Sequence, residues 1–299
     1  MSEGRGASAG GAPGLGRLYV VATPIGNLGD ITLRALEILR AVPLIAAEDT
    51  RLTRRLLERH EVETRTISYH ARSAPAREAE LLTHMRGGQD LALVTDAGTP
   101  GISDPGEGLV GAWAAAGGTV IPIPGPSAVL AAIAASGIAG PRWSFEGFLP
   151  RSGRDRRERI ARIAADERGT VVYEAPGRVT ATLRDLVAAC GPERPAAICR
   201  ELTKLHEEIV RAPLGQLAER AGGGKLTLRG EFAIVVGQQP GGAPASAASE
   251  AAADDALAAA KAEVERLIAG GASRGDAARR VATATGIPRR RLYGAPDEG

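Results

Sequence analysis

The stretch Leu91-Ala-Leu-Val-Thr-Asp-Ala-Gly-Thr-Pro-Gly-Ile-Ser-Asp-Pro-Gly-Glu-Gly108 runs from an apolar tetrad into a loop of small and stiff residues. A small-residue helix is expected over 108–116 and a second apolar strand over 120–123. Working outward, the alternation repeats. Upstream, strands are expected at 18–22, 44–47 and 65–68, and helices at 51–60 and 75–85. Between the first two strands, Ile31, Ala35, Leu36, Ile38, Leu39 and Val42 recur at three and four, predicting a helix with Asp30 as its N-cap. Downstream, 127–136 reads as another helix. Continuous apolar strands alternating with helices predict a parallel sheet covered on both faces, an α/β fold.

After Gly140 the rhythm loosens. Strands are expected at 143–148, 170–173, 196–199 and 232–236, and helices at 154–165, 179–189 and 214–221, as a second α/β domain with some antiparallel pairing. The expected division is a disordered leader over 1–16, an N-terminal α/β domain over 17–124, a C-terminal α/β domain over 125–238 and a linker over 239–254. A small helical extension over 255–299 follows, with helices at 257–268 and 275–285 and a further turn at 287–293.

Composition sets the outer bounds. The chain has 299 residues, 44% hydrophobic and 24% charged, with a net charge of +2. That is globular and neither disordered nor fibrous. No run of 18 apolar residues occurs, which excludes a helical membrane span of the usual length, and the polar N-terminus lacks a secretory pattern. Cys190 and Cys199 form no Cys-x-x-Cys pair, and the four histidines show no ligand spacing. No metal is therefore expected, and a reducing cytoplasm fits. Nearly all the basic residues are Arg, the only lysines being Lys204, Lys225 and Lys261. Codon bias explains this as well as phosphate binding does.

The chemistry-bearing residues cluster just after strands, at 23–27, 48–51, 96–108, 124–127, 174–178 and 200–204. Open α/β sheets bind ligands at the carboxyl ends of their strands. Turns there are also rich in Gly, Pro, Asp and Thr for conformational reasons alone. The loop 96–108 holds four Gly and two Pro in thirteen residues. It presents backbone N–H and C=O groups, which suit an adenosine or amino-acid moiety. It matches neither the dinucleotide Gly-x-Gly-x-x-Gly nor the Gly-Lys-Ser/Thr phosphate loop, which disfavours NAD and ATP.

Several motifs together carry a resemblance: Val21-Ala-Thr-Pro-Ile-Gly-Asn-Leu-Gly-Asp-Ile-Thr32, Ala47-Glu-Asp-Thr-Arg51, Val94-Thr-Asp-Ala-Gly-Thr-Pro-Gly101 and Pro122-Ile-Pro-Gly-Pro-Ser127. With them go Glu146-Gly-Phe-Leu-Pro150, Tyr173-Glu174, Arg200-Glu-Leu-Thr-Lys204 and Gly230-Glu231. In order and spacing, from about residue 18 to 237, the chain resembles the ribosomal RNA small subunit methyltransferase I family of the tetrapyrrole methylase superfamily. The resemblance implies two α/β domains of tetrapyrrole-methylase type with a cofactor cleft between them, plus the C-terminal helices. It implies S-adenosylmethionine-dependent methylation of a cytidine ribose 2′-hydroxyl in 16S rRNA, as naked rRNA or the 30S subunit, by a homodimer. The chain departs from that pattern at Ala71-Arg72-Ser73, at Ser127 where some members carry Cys, in the leader and in the linker.

The resemblance also implies cofactor contacts at Pro24, Asp96, Ala97, Gly98, Thr99, Ile102, Ser127 and Ala128. From the second domain it adds Tyr173, Glu174, Thr203, Glu231 and Phe232. Ser127 reads equally as a plain N-cap, and Phe232 as core. Methyl transfer from a sulfonium is an in-line displacement, so holding the oxygen about 3–3.5 Å from the methyl carbon matters most. A ribose hydroxyl also needs a proton acceptor. Glu174, Glu201 and Lys204 are the catalytic candidates, with a plain Glu201–Lys204 surface pair as the competing reading.

For RNA, Arg51 in the N-terminal domain, Arg151, Arg154 and Arg157 in the C-terminal domain, and Arg289 and Arg290 in the extension are the expected phosphate ligands. A local salt bridge competes for Arg51, and a solvated helix face for the 150–159 run. Tyr69, Trp143, Phe145 and Phe148 are the aromatics available for base stacking. Two other readings stand beside this one: a small-molecule (tetrapyrrole) methyltransferase, and a non-catalytic RNA-binding protein on an inherited fold.

Overall fold

The computed structural model describes residues 14–70, 74–239, 247–285, 287 and 289–292. Two compact units divide the chain at residue 242. Most of the leader and residues 240–246 lie outside the described residues.

In the first unit, β1 (Arg17–Val21), α1 (Leu33–Ala41), β2 (Ile45–Ala47), α2 (Thr50–Arg59), β3 (Thr66–Ser68), α3 (Ala74–Arg86), β4 (Leu91–Val94), α4 (Glu107–Ala115) and β5 (Thr119–Ile123) follow in turn. The strands form one wholly parallel sheet in the order β3-β2-β4-β1-β5. Successive side chains of a strand face opposite sides, and here both sides are buried. Tyr19, Val21, Ile45, Ala47 and Val94 meet α1 and α2. Leu18, Val20, Leu91 and Leu93 meet Leu81 and Met85 of α3 and Leu109 and Trp113 of α4. Leu15, from the segment read as leader, packs against this second cluster.

The chain then runs through α5 (Ala128–Ser136), β6 (Trp143–Phe148), α6 (Gly153–Ala165), β7 (Gly169–Glu174), α7 (Val179–Cys190), β8 (Pro195–Arg200), β9 (Glu208–Pro213), α8 (Leu214–Gly222) and β10 (Phe232–Val236). The second sheet has the order β6-β7-β10-β8-β9, with only β6 and β7 parallel. One face packs on α6, α7 and α8. The other packs on Val129 and Ala132 of α5, and also receives Ile25 and Leu202.

Three details differ from expectation. Thr32, not Asp30, caps α1, accepting from the Ala35 N–H at 3.2 Å. Asp30 ends a single 3-10 turn over Leu28–Asp30. Strand β9 escapes the sequence reading because it is half-buried and edge-placed, without a continuous apolar run. Residues 247–254, read as linker, are helical and open α9 (Ala247–Ala269). With α10 (Arg274–Thr285) and α11 (Arg289–Leu292), α9 makes up the second unit. Its core is Ala260, Val264, Ala277, Ala278, Val281 and Leu292. Among the described residues no helix is long and apolar enough to cross a membrane.

Candidate functional site

The strand order of the first sheet reverses between β4 and β1, so the loops that leave their carboxyl ends diverge and open a crevice. These are the loops at 23–27 and 96–108. They are pinned together by an antiparallel bridge in which the Thr23 N–H donates to the Gly98 carbonyl at 2.8 Å and the Gly98 N–H donates back at 3.0 Å. The Thr23 hydroxyl donates to the Thr95 carbonyl at 2.9 Å. Gly98 sits at φ +80°, a backbone region that side-chain-bearing residues seldom adopt.

The crevice opens into a cavity of about 390 Å³. One wall is Ala97, Gly98, Thr99, Ile102, Ser103 and Asp104 from the glycine loop, with Ile25. Ser127 and Ala128 form the floor at the start of α5, where Ser127 also acts as N-cap to the Leu130 N–H at 3.5 Å. The facing wall is the second sheet, where strand register sets Tyr173, Ala233 and Cys199 in one row. Phe148, 55% exposed, stands edge-on to Tyr173 with ring centroids 5.6 Å apart. Phe232 is both cavity wall and core.

Of the residues expected to touch a cofactor, ten line this cavity: Ala97, Gly98, Thr99, Ile102, Ser127, Ala128, Tyr173, Glu174, Glu231 and Phe232. Pro24 is buried and is not part of the lining. Asp96 lies outside the lining, where its carboxylate accepts from the Asp49 N–H at 2.9 Å and ties two loops together. Thr203 lines a neighbouring depression with Asp30, Thr32 and Ser127. Ser103 and Asp104 line the cavity without having been singled out. Their position inside the glycine loop was the available signal.

The three catalytic candidates are all engaged. On β7 the alternation that turns Tyr173 toward the cavity turns Glu174 the other way. The Glu174 side chain is fully buried. It accepts from the Ala175 N–H at 2.9 Å and the Thr182 hydroxyl at 2.5 Å, and pairs with Arg178 at 3.2 Å. Lys204 bridges Glu201 at 3.0 Å and Glu231 at 2.9 Å. The pair expected as the bland reading is thus present, with Glu231 as a third member. Burial pulls the Lys204 ammonium down, but the bonds to Glu231 and Glu201 outweigh it and leave the group above its ordinary value. The Glu231 N–H and Lys204 hold the Glu201 carboxyl low. An ammonium held charged and a carboxylate held by two donors are poor proton acceptors.

Gly26, at φ +141°, lies against the Lys204 stem, and a Cβ there would stand 2.5 Å from Lys204 Cγ and Cε. Gly26→Ala should push the lysine off both carboxylates. Gly26→Ala and Lys204→Ala should then be non-additive in denaturant melts, the glycine change costing less once the stem is gone, with a coupling of roughly 0.5–3 kcal/mol. Additive effects would show that the loop does not rest on this lysine.

The rim of the first sheet is acidic. Burial raises the Glu48 and Asp96 carboxyls, and burial together with the charges of Glu48 and Asp96 pushes Asp104 up to about 7. Asp49 goes the other way, to about 2, because Arg51 binds its side chain at 2.6 Å. Arg51 is therefore in the local salt bridge, with its guanidinium largely exposed. In the run from 151 to 159, two arginines turn inward. Arg156 reaches Asp185, Thr182 and the Pro150 carbonyl, and Arg159 reaches the Glu146 carbonyl. Arg151, Arg154 and Arg157 face solvent, Arg154 pairing with Glu158. Arg289 is exposed, and the backbone of Arg290 lies with it in α11. Among the aromatics, Tyr69 is buried and donates to Glu78 at 2.7 Å, so it has no face for a base. Trp143 and Phe145 are half-buried against the α5 side of the sheet. Phe148 remains available. Burial raises the Cys199 thiol to about 11, which leaves it an inert wall.

Comparison with known proteins bears on the fold and the family. The model described as Tetrapyrrole (Corrin/Porphyrin) Methylases matches residues 17–218. A cobalt precorrin-4 methyltransferase superimposes with a TM-score of 0.58 at 17% identity, covering 74% of this chain and 94% of that one. Uroporphyrin-III C-methyltransferase from Thermus thermophilus, complexed with S-adenyl homocysteine, gives 0.54 at 22%, covering 74% and 97%. The fold is that of the tetrapyrrole methylases.

Sequence relatives carry the name ribosomal RNA small subunit methyltransferase I. That of Synechocystis sp. is 46% identical over 280 residues, 93% of this chain and 96% of its own length. That of Mycobacterium bovis is 42% identical over 283 residues, 94% of each. That of Escherichia coli O157:H7 is 43% identical over 221 residues, 74% of this chain and 77% of its own. The chain belongs to the ribosomal RNA small subunit methyltransferase I family, within the tetrapyrrole methylases.

Proposed function

We propose that the protein methylates the 2′-hydroxyl of a cytidine ribose in 16S rRNA, presented as naked rRNA or in the 30S subunit, using S-adenosylmethionine. It does so as a homodimer in the cytoplasm, two points that rest on the family. The observation that carries the reading is the cavity between the glycine loop and the Tyr173 row, with Phe148 in its lining; exposed Arg151, Arg154 and Arg157 follow Phe148 in the chain.

The residues present fit the cofactor. Apolar Ile25, Ala97, Phe232 and Ala233 suit an adenosine, backbone groups of the glycine loop supply hydrogen bonds, and an acidic rim suits a cation. The cofactor would be held by Ala97, Gly98, Thr99, Ile102, Ser127, Ala128, Tyr173, Glu231 and Phe232. When bound it supplies an electrophilic methyl group on a sulfonium. The chain's own part is to orient the ribose, exclude water and accept a proton. The Glu201–Lys204–Glu231 cluster braces the second-domain wall against the 23–27 loop, and Glu174 locks β7 to α7. Arg51, Arg151, Arg154 and Arg157 bind phosphates near the cavity, and Arg289 and Arg290 bind them from the helical unit.

A labelled-methyl assay offering 30S subunits, naked 16S rRNA and a tetrapyrrole tests this. Label should enter the RNA and be recovered as 2′-O-methylcytidine in a linkage that alkali does not cleave. Label on the tetrapyrrole alone would overturn the reading, and RNA binding without transfer would leave a binding protein on an inherited fold.

A further inference from the structure

The end of β6 is out of step with its neighbour. Trp143, Ser144 and Phe145 pair with Gly169, Thr170 and Val171 of β7, but Gly147 already faces Val172 and Phe148 faces Tyr173. Glu146 is thus an extra residue, a β-bulge. A one-residue slip turns every later side chain to the other face of a sheet. Without the bulge Phe148 would stand opposite Glu174, on the face that packs on α6, α7 and α8. With it, Phe148 joins Phe145 and Tyr173 on the opposite face, edge-on to Tyr173 like Phe145.

A bulge disrupts the ladder, and the backbone groups it frees need other partners. Arg159 of α6 provides one. Its Nη1 donates to the Glu146 carbonyl at 2.9 Å and to the Phe148 carbonyl at 3.4 Å, and its Nε lies 3.6 Å from the Glu146 carboxylate. Gly147 takes φ +61°, and a Cβ there would stand 3.0 Å from Ser103 Oγ, so the bulge lies close against the glycine loop. A single exposed apolar side chain is ordinary. This one is turned away from a core face by a bulge, held there by an arginine, and left more than half exposed in the cavity lining. Packing does not account for that arrangement.

A bare phenyl face suits a flat π system. The apolar wall for an adenosine is made by other residues, Ile25, Ala97, Phe232 and Ala233. Exposed Arg151, Arg154 and Arg157 follow Phe148 in the chain, and guanidinium groups suit phosphates. An aromatic ring followed by phosphate ligands fits a nucleotide of the substrate. A ribose enters a cavity of this kind with its nucleotide drawn out of the helical stack. The freed base then needs a new stacking partner, which proteins supply from aromatic side chains. We infer that Phe148 is the platform on which the base of the methylated nucleotide stacks, with Arg159 as the positioning residue that keeps the ring on the cavity face. The inference rests on the function proposed above.

The test is kcat/KM for the RNA that takes the label, at saturating S-adenosylmethionine, with S-adenosylhomocysteine affinity measured by calorimetry. Phe148→Ala should lower kcat/KM by roughly 5–150-fold, the range that one base–aromatic stack supplies. Phe148→Trp, which keeps a π face, should stay within about threefold of wild type, and Phe148→Leu should fall with alanine. All three should bind S-adenosylhomocysteine within about threefold of wild type, because the adenosine wall is untouched. The position of the label gives the target nucleotide, and an RNA lacking the base there, assembled into 30S subunits where the assay requires them, completes a cycle. Removing the base should cost wild type about what Phe148→Ala costs, and should cost the variant little more. Arg159→Ala should lower kcat/KM without changing its salt slope, and should cost at least about twofold less once Phe148 is alanine.

Phe148→Ala within twofold of wild type overturns the inference. So does Phe148→Leu at the wild-type value, which would make the ring mere apolar bulk. A loss confined to S-adenosylhomocysteine affinity would make Phe148 a wall of the donor site and not a platform for the base. Equal penalties for the missing base in wild type and Phe148→Ala would mean that the ring does not hold that base, and additive losses in the Arg159 pair would remove the positioning role. If wild type transfers no methyl group to RNA, the functional reading itself has failed; if it does and Phe148→Ala matches it, only the role of Phe148 has.

Discussion

Gly98→Val is expected to weaken S-adenosylhomocysteine binding by more than about 100-fold and to lower the melting temperature by roughly 2–10 °C. A β-branched residue at φ +80° is a backbone outlier, and strain of this kind costs about 1–3 kcal/mol. The loop has two ways to relieve it. It can break the Thr23–Gly98 bridge, which releases the 23–27 loop, or it can flip the 97–99 segment, which removes one wall of the cavity. Both destroy the pocket while leaving the second sheet intact, since its core lies on the far side of β7 and β10. Calorimetry against far-UV circular dichroism separates the two effects. Affinity within threefold of wild type would mean that the donor sits elsewhere.

The triple variant Arg151→Ala/Arg154→Ala/Arg157→Ala should weaken binding of 16S rRNA by roughly 10–100-fold at moderate salt. The diagnostic is the salt slope. Each lost phosphate contact removes about 0.7–0.9 from the slope of log affinity against log salt, so three should remove about 2–3. S-adenosylhomocysteine affinity should not move, because none of the three lines the cavity. An Arg156→Ala control separates charge from architecture. That side chain is buried against Thr182 and Asp185, so its loss should lower the melting temperature and leave the slope alone. An unchanged slope in the triple variant would make the exposed arginines a solvated face.

Most of the fold was readable from pattern. Strands that are apolar on both faces betray themselves as unbroken runs, so Leu91–Val94 and Phe232–Val236 need no tertiary information. Strand β9 does need it, because an edge strand such as Glu208–Pro213 is half-buried and takes its identity from pairing with β8. Caps follow the same logic. Asp30 and Thr32 are both good N-caps by type, and only the path of the 3-10 turn selects Thr32.

The site divides along the same line. That the chemistry-bearing turns follow strand ends is legible in the sequence, and the family resemblance carried by the motifs assigns the glycine loop, the Ser127 turn and the Tyr173 strand to one cavity. What each carboxylate does there depends on groups distant in sequence. Glu174 belongs to the core because strand alternation carries it to Thr182 on α7, and Lys204 is spent on Glu231, 27 residues away. Asp104 stays half-buried on the cavity wall, with no hydrogen bond to another described residue. Local sequence dictates which elements form and where their ends lie, because periodicity and turn chemistry are short-range. Proton affinity and reach are set by burial and long-range neighbours, and these exist only once the chain has closed on itself.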